Sequence, residues 1–111
     1  MHHPLSPATF HILLALATGE RHGYDIMKQA AADSQNAVKL GPGTLYSTLK
    51  KMLELDLISE TAERPDPQLD DSRRRYYRIT SKGQAALGAE LERLDHLVHL
   101  GHKLTHQTTT S

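Results

Sequence analysis

The sequence of 111 residues contains no cysteine and no tryptophan. Without thiols it can form neither a disulfide nor a thiolate nucleophile, which is typical of a protein in a reducing compartment. None of its apolar runs approaches the roughly 20 residues that a membrane-spanning helix needs. No signal-peptide pattern opens it, because only a short apolar run follows His2, His3 and Pro4. These absences predict a cytoplasmic protein with no membrane segment.

The chain also lacks aromatic residues and an excess of charge of either sign. It has four tyrosines and one phenylalanine, and its 13 basic residues balance 13 acidic ones. The length suits one domain with a modest core, so a stabilising partner chain is expected. Zero net charge counts only mildly against nucleic acid, because phosphate contacts are local. Positive charge is concentrated at Lys50 and Lys51 and in the run Arg73, Arg74 and Arg75, whereas acidic residues concentrate in 66–71 and in the last helix.

Catalytic patterns are missing as well. Serine, histidine and aspartate all occur, but no spacing places a nucleophile beside a base. The Gly41-Pro42-Gly43 segment is a helix start, and no glycine-rich phosphate loop follows a predicted strand. The sequence therefore predicts no enzyme, no cofactor and no metal.

Apolar periodicity and turn residues predict the order of elements. Ser6 caps a buried helix over 7–18, and Thr80 caps the last helix. Two further helices are predicted over 23–32 and 41–55, and the last helix extends to residue 103. Two strands are predicted over 57–63 and 75–79, around a turn-rich loop at 64–72. A short strand is also predicted at Val38 and Leu40. The fold class is mainly α with a small β-hairpin. We expect a winged helix-turn-helix over 1–80, a dimerisation helix over 81–104 and a disordered tail over 105–111.

The third helix is the candidate recognition helix. Leu45, Leu49 and Met52 form its buried face. At about 100° per residue, the opposite face and its flanks carry small, hydroxyl and basic residues: Gly43, Thr44, Tyr46, Ser47, Lys50 and Lys51. Such a face suits the major groove of DNA, but these residue types suit a solvated helix face equally well.

The hairpin adds a second basic site. Strand alternation directs Tyr77 and Ile79 to the core and leaves Arg73 and Arg74 near the tip, where a wing reaches phosphates or a minor groove. The alternative is that Asp70 and Asp71 neutralise the arginines in the free protein.

The last helix carries an apolar seam. Leu87, Leu91, Leu94 and Val98 recur at spacings of 4, 3 and 4, which predicts a homodimer. The helix also bears four histidines: His96, His99, His102 and His106. They could hold a divalent ion, but interaction with the helix dipole is preferred. We interpret His22 as a cap or packed turn residue, and His11 as packed and hydrogen-bonded.

Four motifs in order resemble the PadR family of transcriptional regulators, in its smaller subfamily with a single C-terminal helix. The motifs lie within about residues 5–94 and read His22-Gly23-Tyr24-Asp25-Ile26, Gly43-Thr44-Leu45-Tyr46 with Leu49 and Leu53, Leu57-Ile58, and Arg73-Arg74-Arg75-Tyr76-Tyr77-Arg78-Ile79-Thr80 with Lys82-Gly83. The resemblance implies homodimeric repressors that bind palindromic promoter DNA and are released by small, often aromatic or phenolic, compounds. It makes Tyr46 a DNA-contacting residue, Arg73 to Arg75 a basic wing, and Thr80 and Gly83 the start of the dimerisation helix.

The resemblance also implies an effector site where each last helix meets the partner's first helix. The matching apolar positions are Phe10, Leu14, Leu91, Leu94 and Val98. Leu94 stands where a drug-binding branch of the family carries a stacking aromatic residue, which is a departure from that branch. The alternative is that this space is filled core. A different function is also open, because zero net charge and an acidic wing favour a winged-helix module that binds another protein and no DNA.

Overall fold

A computed structural model describes residues 3–61 and 75–109. Within these ranges the elements are α1 (Pro7–Ala15), β1 (Arg21–His22), α2 (Gly23–Asp33), α3 (Pro42–Glu54), β2 (Ile58–Thr61), β3 (Tyr76–Ile79) and α4 (Ser81–Thr109). The predicted class, mainly α with a small β-hairpin, is confirmed. The loop at 64–72, with Arg73 and Arg74, lies outside the described residues.

The strands form one antiparallel sheet in the order β1-β3-β2. In the hairpin, Ile58 pairs with Ile79 and Thr61 with Tyr76. The sequence analysis missed β1, because two residues show no periodicity and pair only after α2 brings them beside β3. The strand expected at Val38 and Leu40 is wrong. Ser34 holds this segment in an irregular conformation, since its Oγ accepts the Val38 N–H at 2.9 Å.

Side-chain caps begin α1 and α2, and left-handed residues follow α2 and α3. Ser6 Oγ accepts the Thr9 N–H at 3.2 Å, which confirms the predicted cap of α1. His22 caps α2, as its Nδ1 accepts the Asp25 N–H at 3.2 Å, so the cap interpretation of His22 is confirmed. Gln35 (φ 54°) and Asp56 (φ 62°) terminate α2 and α3 by reversing the chain.

The core lies between α1, α2, α3 and the sheet. Its fully buried side chains are Ile12, Leu13, Leu16, Ile26, Leu45, Leu49, Met52 and Ile58. Thus the predicted buried face of α3 is confirmed. Tyr77 is buried and Ile79 packs against the same core, so the predicted orientation of β3 is confirmed too.

The last helix is longer than predicted. Thr80 caps it, because its Oγ1 accepts the Gly83 N–H at 3.0 Å while donating to the Asp56 carbonyl at 2.7 Å. The helix continues to Thr109, so a disordered tail from residue 105 is wrong for 105–109. Thr105 Oγ1 donates to the Gly101 carbonyl at 2.8 Å. Residues 105–109 are polar, and the end of the last helix was predicted from apolar periodicity. That periodicity therefore could not show that the helix continues through them. In the ranges 3–61 and 75–109, no helix has the length and apolar character to span a bilayer.

Candidate nucleic-acid interface

The exposed face of α3 is the candidate interface. Packing of Leu45, Leu49 and Met52 into the core turns the opposite side of the helix to solvent. All five predicted side chains of this face are exposed, namely Thr44, Tyr46, Ser47, Lys50 and Lys51, and the helix also exposes Pro42 at its start and Glu54 at its end. Within the described ranges, neither lysine makes an ion pair. Their charges are therefore available to an anionic partner.

The first turn of α3 is positively polarised. Gly41 is the N-cap and supplies no side-chain hydrogen bond, Pro42 follows it, and the first turn contains no acidic residue. At Gly43 an added Cβ would meet nothing within 4 Å, so the backbone there is open. An uncompensated helix N-terminus favours phosphate.

Hydroxyl groups continue this face along the helix. Ser47 Oγ and Thr48 Oγ1 donate to the Thr44 carbonyl at 3.2 and 2.7 Å. Because each hydroxyl proton is engaged within the helix, each oxygen retains only acceptor capacity. Ser47 is exposed and can accept a hydrogen bond from a base amino group, whereas Thr48 is half-buried.

Tyr46 leans on the start of α2. A Cβ at Gly23 would lie 2.7 Å from the Tyr46 hydroxyl oxygen and 3.2 Å from its Cζ. Gly23 is buried, while Tyr46 remains 46% exposed. The glycine thus creates the space that sets the tyrosine's position. This contact could not be predicted from the sequence, because Gly23 and Tyr46 lie in two separate motifs of the chain.

Two arginines in or beside β3 are paired with glutamates. Arg75 donates to Glu60 at 2.6 Å, and this hydrogen bond raises the pKa of the Arg75 guanidinium. Arg78 lies 3.9 Å from Glu20. The predicted phosphate-contacting residues Arg73 and Arg74 lie outside the described residues, as do the aspartates expected to neutralise them.

A cleft separates α3 from the sheet. Its volume is about 720 Å³. The lining residues come from β1, α2, α3 and the two hairpin strands or their flanks: His22, Gly23, Tyr24, Tyr46, Leu49, Lys50, Leu53, Glu60, Arg75 and Tyr77. Burial, followed by the Glu60 charge, raises the pKa of Tyr77, so its hydroxyl is a neutral donor. The sequence analysis did not anticipate this cleft, because its lining residues come from separate parts of the chain.

The predicted dimerisation and effector residues divide between core and surface. Leu87 is 7% exposed and packs in the core of its own chain. Leu91 and Val98 are 44% and 54% exposed, whereas Leu94 is half-buried. Phe10 and Leu14 are half-buried on α1, and neither lines the cleft beside α3.

The histidines that the structure describes do not assemble into a metal centre within one chain. Among residues 3–61 and 75–109, no three histidine, cysteine or acidic side chains are grouped so that they could hold an ion. His99 Nδ1 lies 2.9 Å from the Asp95 carbonyl and 3.4 Å from its carboxylate. His11 packs edge-on against Phe10, and its buried Nδ1 has no hydrogen-bond partner among the described residues.

Three helices, a hairpin and a long final helix define a winged helix-turn-helix protein. Solved structures share this fold. A PadR family regulator from Clostridium difficile R20291 aligns over 90% of this chain and 99% of its own, with a TM-score of 0.73 and 23% identity. Bacillus subtilis PadR in complex with operator DNA aligns over 80% of this chain and 48% of its own, with a TM-score of 0.67 and 24% identity.

Sequence comparison identifies the family. The model of the transcriptional regulator PadR-like family matches residues 12–89. Transcriptional regulator Rv3488 of Mycobacterium tuberculosis is 36% identical over 87 residues, which cover 78% of this chain and 75% of that protein. The chain therefore belongs to the PadR-like family of transcriptional regulators, and it is not an enzyme.

Proposed function

We propose that the protein binds palindromic double-stranded DNA as a homodimer through α3 and the tip of the hairpin. The exposed face of α3 carries this proposal, because it combines a positively polarised N-terminus with two lysines that form no ion pair within the described ranges. The Bacillus subtilis relative of the same fold was solved with operator DNA.

Each residue on this surface has a chemical role in the proposal. Thr44, Tyr46 and Ser47 lie near the start of α3 and contact base edges, which makes them determinants of the preferred sequence. Lys50 and Lys51 neutralise phosphates, and Arg73 and Arg74 of the wing contact the backbone or minor groove. Two copies of α3 then enter successive major grooves, roughly 34–36 Å apart.

The uncovered surface of α4 supports a dimer. Its large apolar side chains Leu91, Leu97, Val98, Leu100 and Leu104 are 40–54% exposed. The protomer measures 65 × 29 × 23 Å, which is elongated for its size and accords with a helix that projects from the core. A second copy of the same helix covers these residues and removes them from water. Since Leu87 belongs to the core of its own chain, the seam between protomers starts at Leu91.

Repression and its release belong to the same proposal. A dimer on promoter DNA blocks transcription, and an apolar or phenolic effector at the seam releases it. The effector residues are Phe10, Leu14, Leu91, Leu94 and Val98. Two observations support this assignment. The α1 helix packs against α4, and apolar side chains of both helices remain partly exposed to solvent.

Salt-dependent binding tests the DNA interface. Fluorescence anisotropy is measured at several salt concentrations on a duplex that the protein itself selects from a random pool. Each phosphate contact contributes about −0.9 to the slope of log affinity against log salt. Because a dimer presents Lys50 twice, Lys50→Ala should reduce the steepness of the slope by about 2.

Lys103 provides a matched control, because it is an exposed lysine on the distal part of α4. Lys103→Ala should leave the slope unchanged. Equal slopes for wild type and Lys50→Ala would contradict the proposed role of this face. Selection of no duplex at all would contradict DNA binding and favour a module that binds another protein.

A further inference from the structure

The wall of the cleft between α3 and the sheet carries charges of both signs. Lys50 lies on α3, Arg75 immediately precedes β3, and Glu60 lies on β2. Arg75 and Tyr77 are two residues apart and Glu60 is the register partner of Tyr77, so these side chains share one face of the hairpin. Of the described residues that line the cleft, Glu60 alone is acidic. A carboxylate therefore stands beside basic residues of the proposed DNA surface.

The Glu60 carboxylate is bonded to one of these basic residues. Arg75 Nη1 donates to Glu60 Oε1 at 2.6 Å, which is a short, charge-assisted hydrogen bond. The side chain of Arg75 is 62% exposed, whereas that of Glu60 is 27% exposed. Glu60 is thus the anchored partner, and the guanidinium is the group that can turn outward. Exposed ion pairs contribute little to stability, so the fold does not depend on this one.

DNA phosphate is an alternative partner for the same guanidinium. In the proposed complex, α3 lies in a major groove and the hairpin tip reaches the backbone or the minor groove. The phosphates between the two grooves then pass the mouth of the cleft. A guanidinium binds carboxylate and phosphate through the same planar set of donors, so Arg75 cannot fully serve both. The Glu60 carboxylate also repels a phosphate at this position.

We propose that Glu60 competes with DNA phosphate for Arg75 and thereby limits the affinity of the protein for duplex DNA. The inference rests on the proposed function, because it requires DNA at the face formed by α3 and the hairpin. A phosphate contact carries no sequence information, so the limit applies to operator and non-operator duplexes alike. The ion pair is thus an autoinhibitory contact within the hairpin, and Glu60 is a determinant of affinity that itself contacts no DNA.

Glu60→Gln tests the competition, because it keeps the shape of the side chain and removes its charge. Fluorescence anisotropy is measured on the duplex that the protein selects and on a shuffled duplex of equal length. Since a dimer presents Arg75 twice, Glu60→Gln should bind both duplexes about tenfold more tightly and steepen the salt slope by about 2. Unchanged or weakened binding would overturn the proposal. A gain on one duplex only would show that Glu60 affects base readout, and would overturn it too.

Glu20→Gln is the matched control for net charge. Glu20 lies 3.9 Å from Arg78, and neither residue lines the cleft. The substitution removes the same charge from a glutamate beside an arginine of β3, and it should leave duplex binding unchanged. A gain equal to that of Glu60→Gln would show a general effect of net charge and contradict a local competition.

The Arg75→Gln background tests whether Glu60 acts through the arginine. There the gain from Glu60→Gln should fall from about tenfold to about threefold or less, because no guanidinium remains to be released. Equal gains in both backgrounds would show that Glu60 acts by repulsion alone, and would overturn the competition. If Lys50→Ala weakens binding but Glu60→Gln does not strengthen it, only this inference fails. If neither the wild type nor Glu60→Gln binds a duplex, the proposed function fails as well.

Discussion

At the scale of single residues, two glycines of α4 have opposite surroundings. Gly83 is buried, and a Cβ there would collide with the Leu57 carbonyl oxygen and lie 2.9 Å from Ile79 Cγ1. Gly88 is exposed, and an added Cβ would meet nothing within 4 Å. By helix propensity alone, both glycines weaken the helix to the same extent. In the structure, Gly83 permits the close approach of α4 to the chain that follows α3.

Alanine substitutions should separate these two glycines. Gly83→Ala should lower the free energy of unfolding by about 1–3 kcal/mol, because the obstacle is backbone and cannot move aside as a flexible side chain does. Gly88→Ala should raise it by about 0.5–1 kcal/mol through helix propensity. Urea denaturation followed by circular dichroism measures both. Similar effects of the two substitutions would contradict the close approach.

A buried carboxylate was not anticipated from the sequence. Glu90 is 2% exposed and receives two hydrogen bonds from Arg93, at 2.8 and 2.7 Å. The Leu5 N–H lies 3.3 Å from the same carboxylate, which ties the N-terminal segment to α4. The interaction raises the pKa of Arg93. Charge alone predicts exposure for both residues, and only the fold brings Leu5 to this point of the helix.

At the scale of elements, α3 is positioned against α2 through Tyr46 and Gly23. The obstacle to a side chain at Gly23 is the hydroxyl end of a half-exposed tyrosine, not backbone. The Tyr46 side chain can rotate away from a new methyl group at a modest cost in stability. The contact therefore matters more for the placement of Tyr46 on the proposed DNA-binding face than for stability.

Gly23→Ala should accordingly change the free energy of unfolding by less than about 1 kcal/mol but weaken duplex binding about tenfold. Its effect should be smaller in a Tyr46→Phe background, because the atom nearest the new methyl group is the hydroxyl oxygen at 2.7 Å. A double-mutant cycle by anisotropy measures this coupling. Additive effects would show that the contact does not position the tyrosine.

The boundaries of the helices and strands show which of them can be located from the periodicity of apolar residues. It located α1 to α4 because each of them buries a recurrent apolar face. It could not locate β1, whose two residues pair only across the sheet, nor the end of α4, whose last residues are polar. It also produced a false strand at Val38, where the Ser34 hydroxyl determines the backbone conformation.

At the scale of the whole molecule, the exposed apolar surface of α4 predicts a dimer. The wild type should sediment at twice the chain mass of 12.4 kDa at micromolar concentration. Val98→Asp should shift the equilibrium to monomers, because a buried, unpaired carboxylate costs several kcal/mol. The protomer should remain folded, since Val98 is 54% exposed and lies outside its core.

His99→Asp is the matched control, because the same charge is then introduced on a side chain that is 77% exposed and lies about 80° or more around the helix from each apolar residue of the proposed seam. It should leave the dimer intact. A wild-type chain that sediments as a monomer would contradict the dimer, and dissociation by both substitutions would place the seam elsewhere on α4.

The sequence by itself determined the winged-helix class, the buried and exposed faces of α3 and the family. These properties depend on the spacing of apolar residues and on local motifs, and both are carried by contiguous residues. Only the tertiary structure decided that Leu87 belongs to the core of its own chain, that Arg75 is paired with Glu60, and that Tyr46 borders a cleft. Each of these depends on contacts between residues distant in the chain, and helical or strand periodicity carries no information about which elements meet.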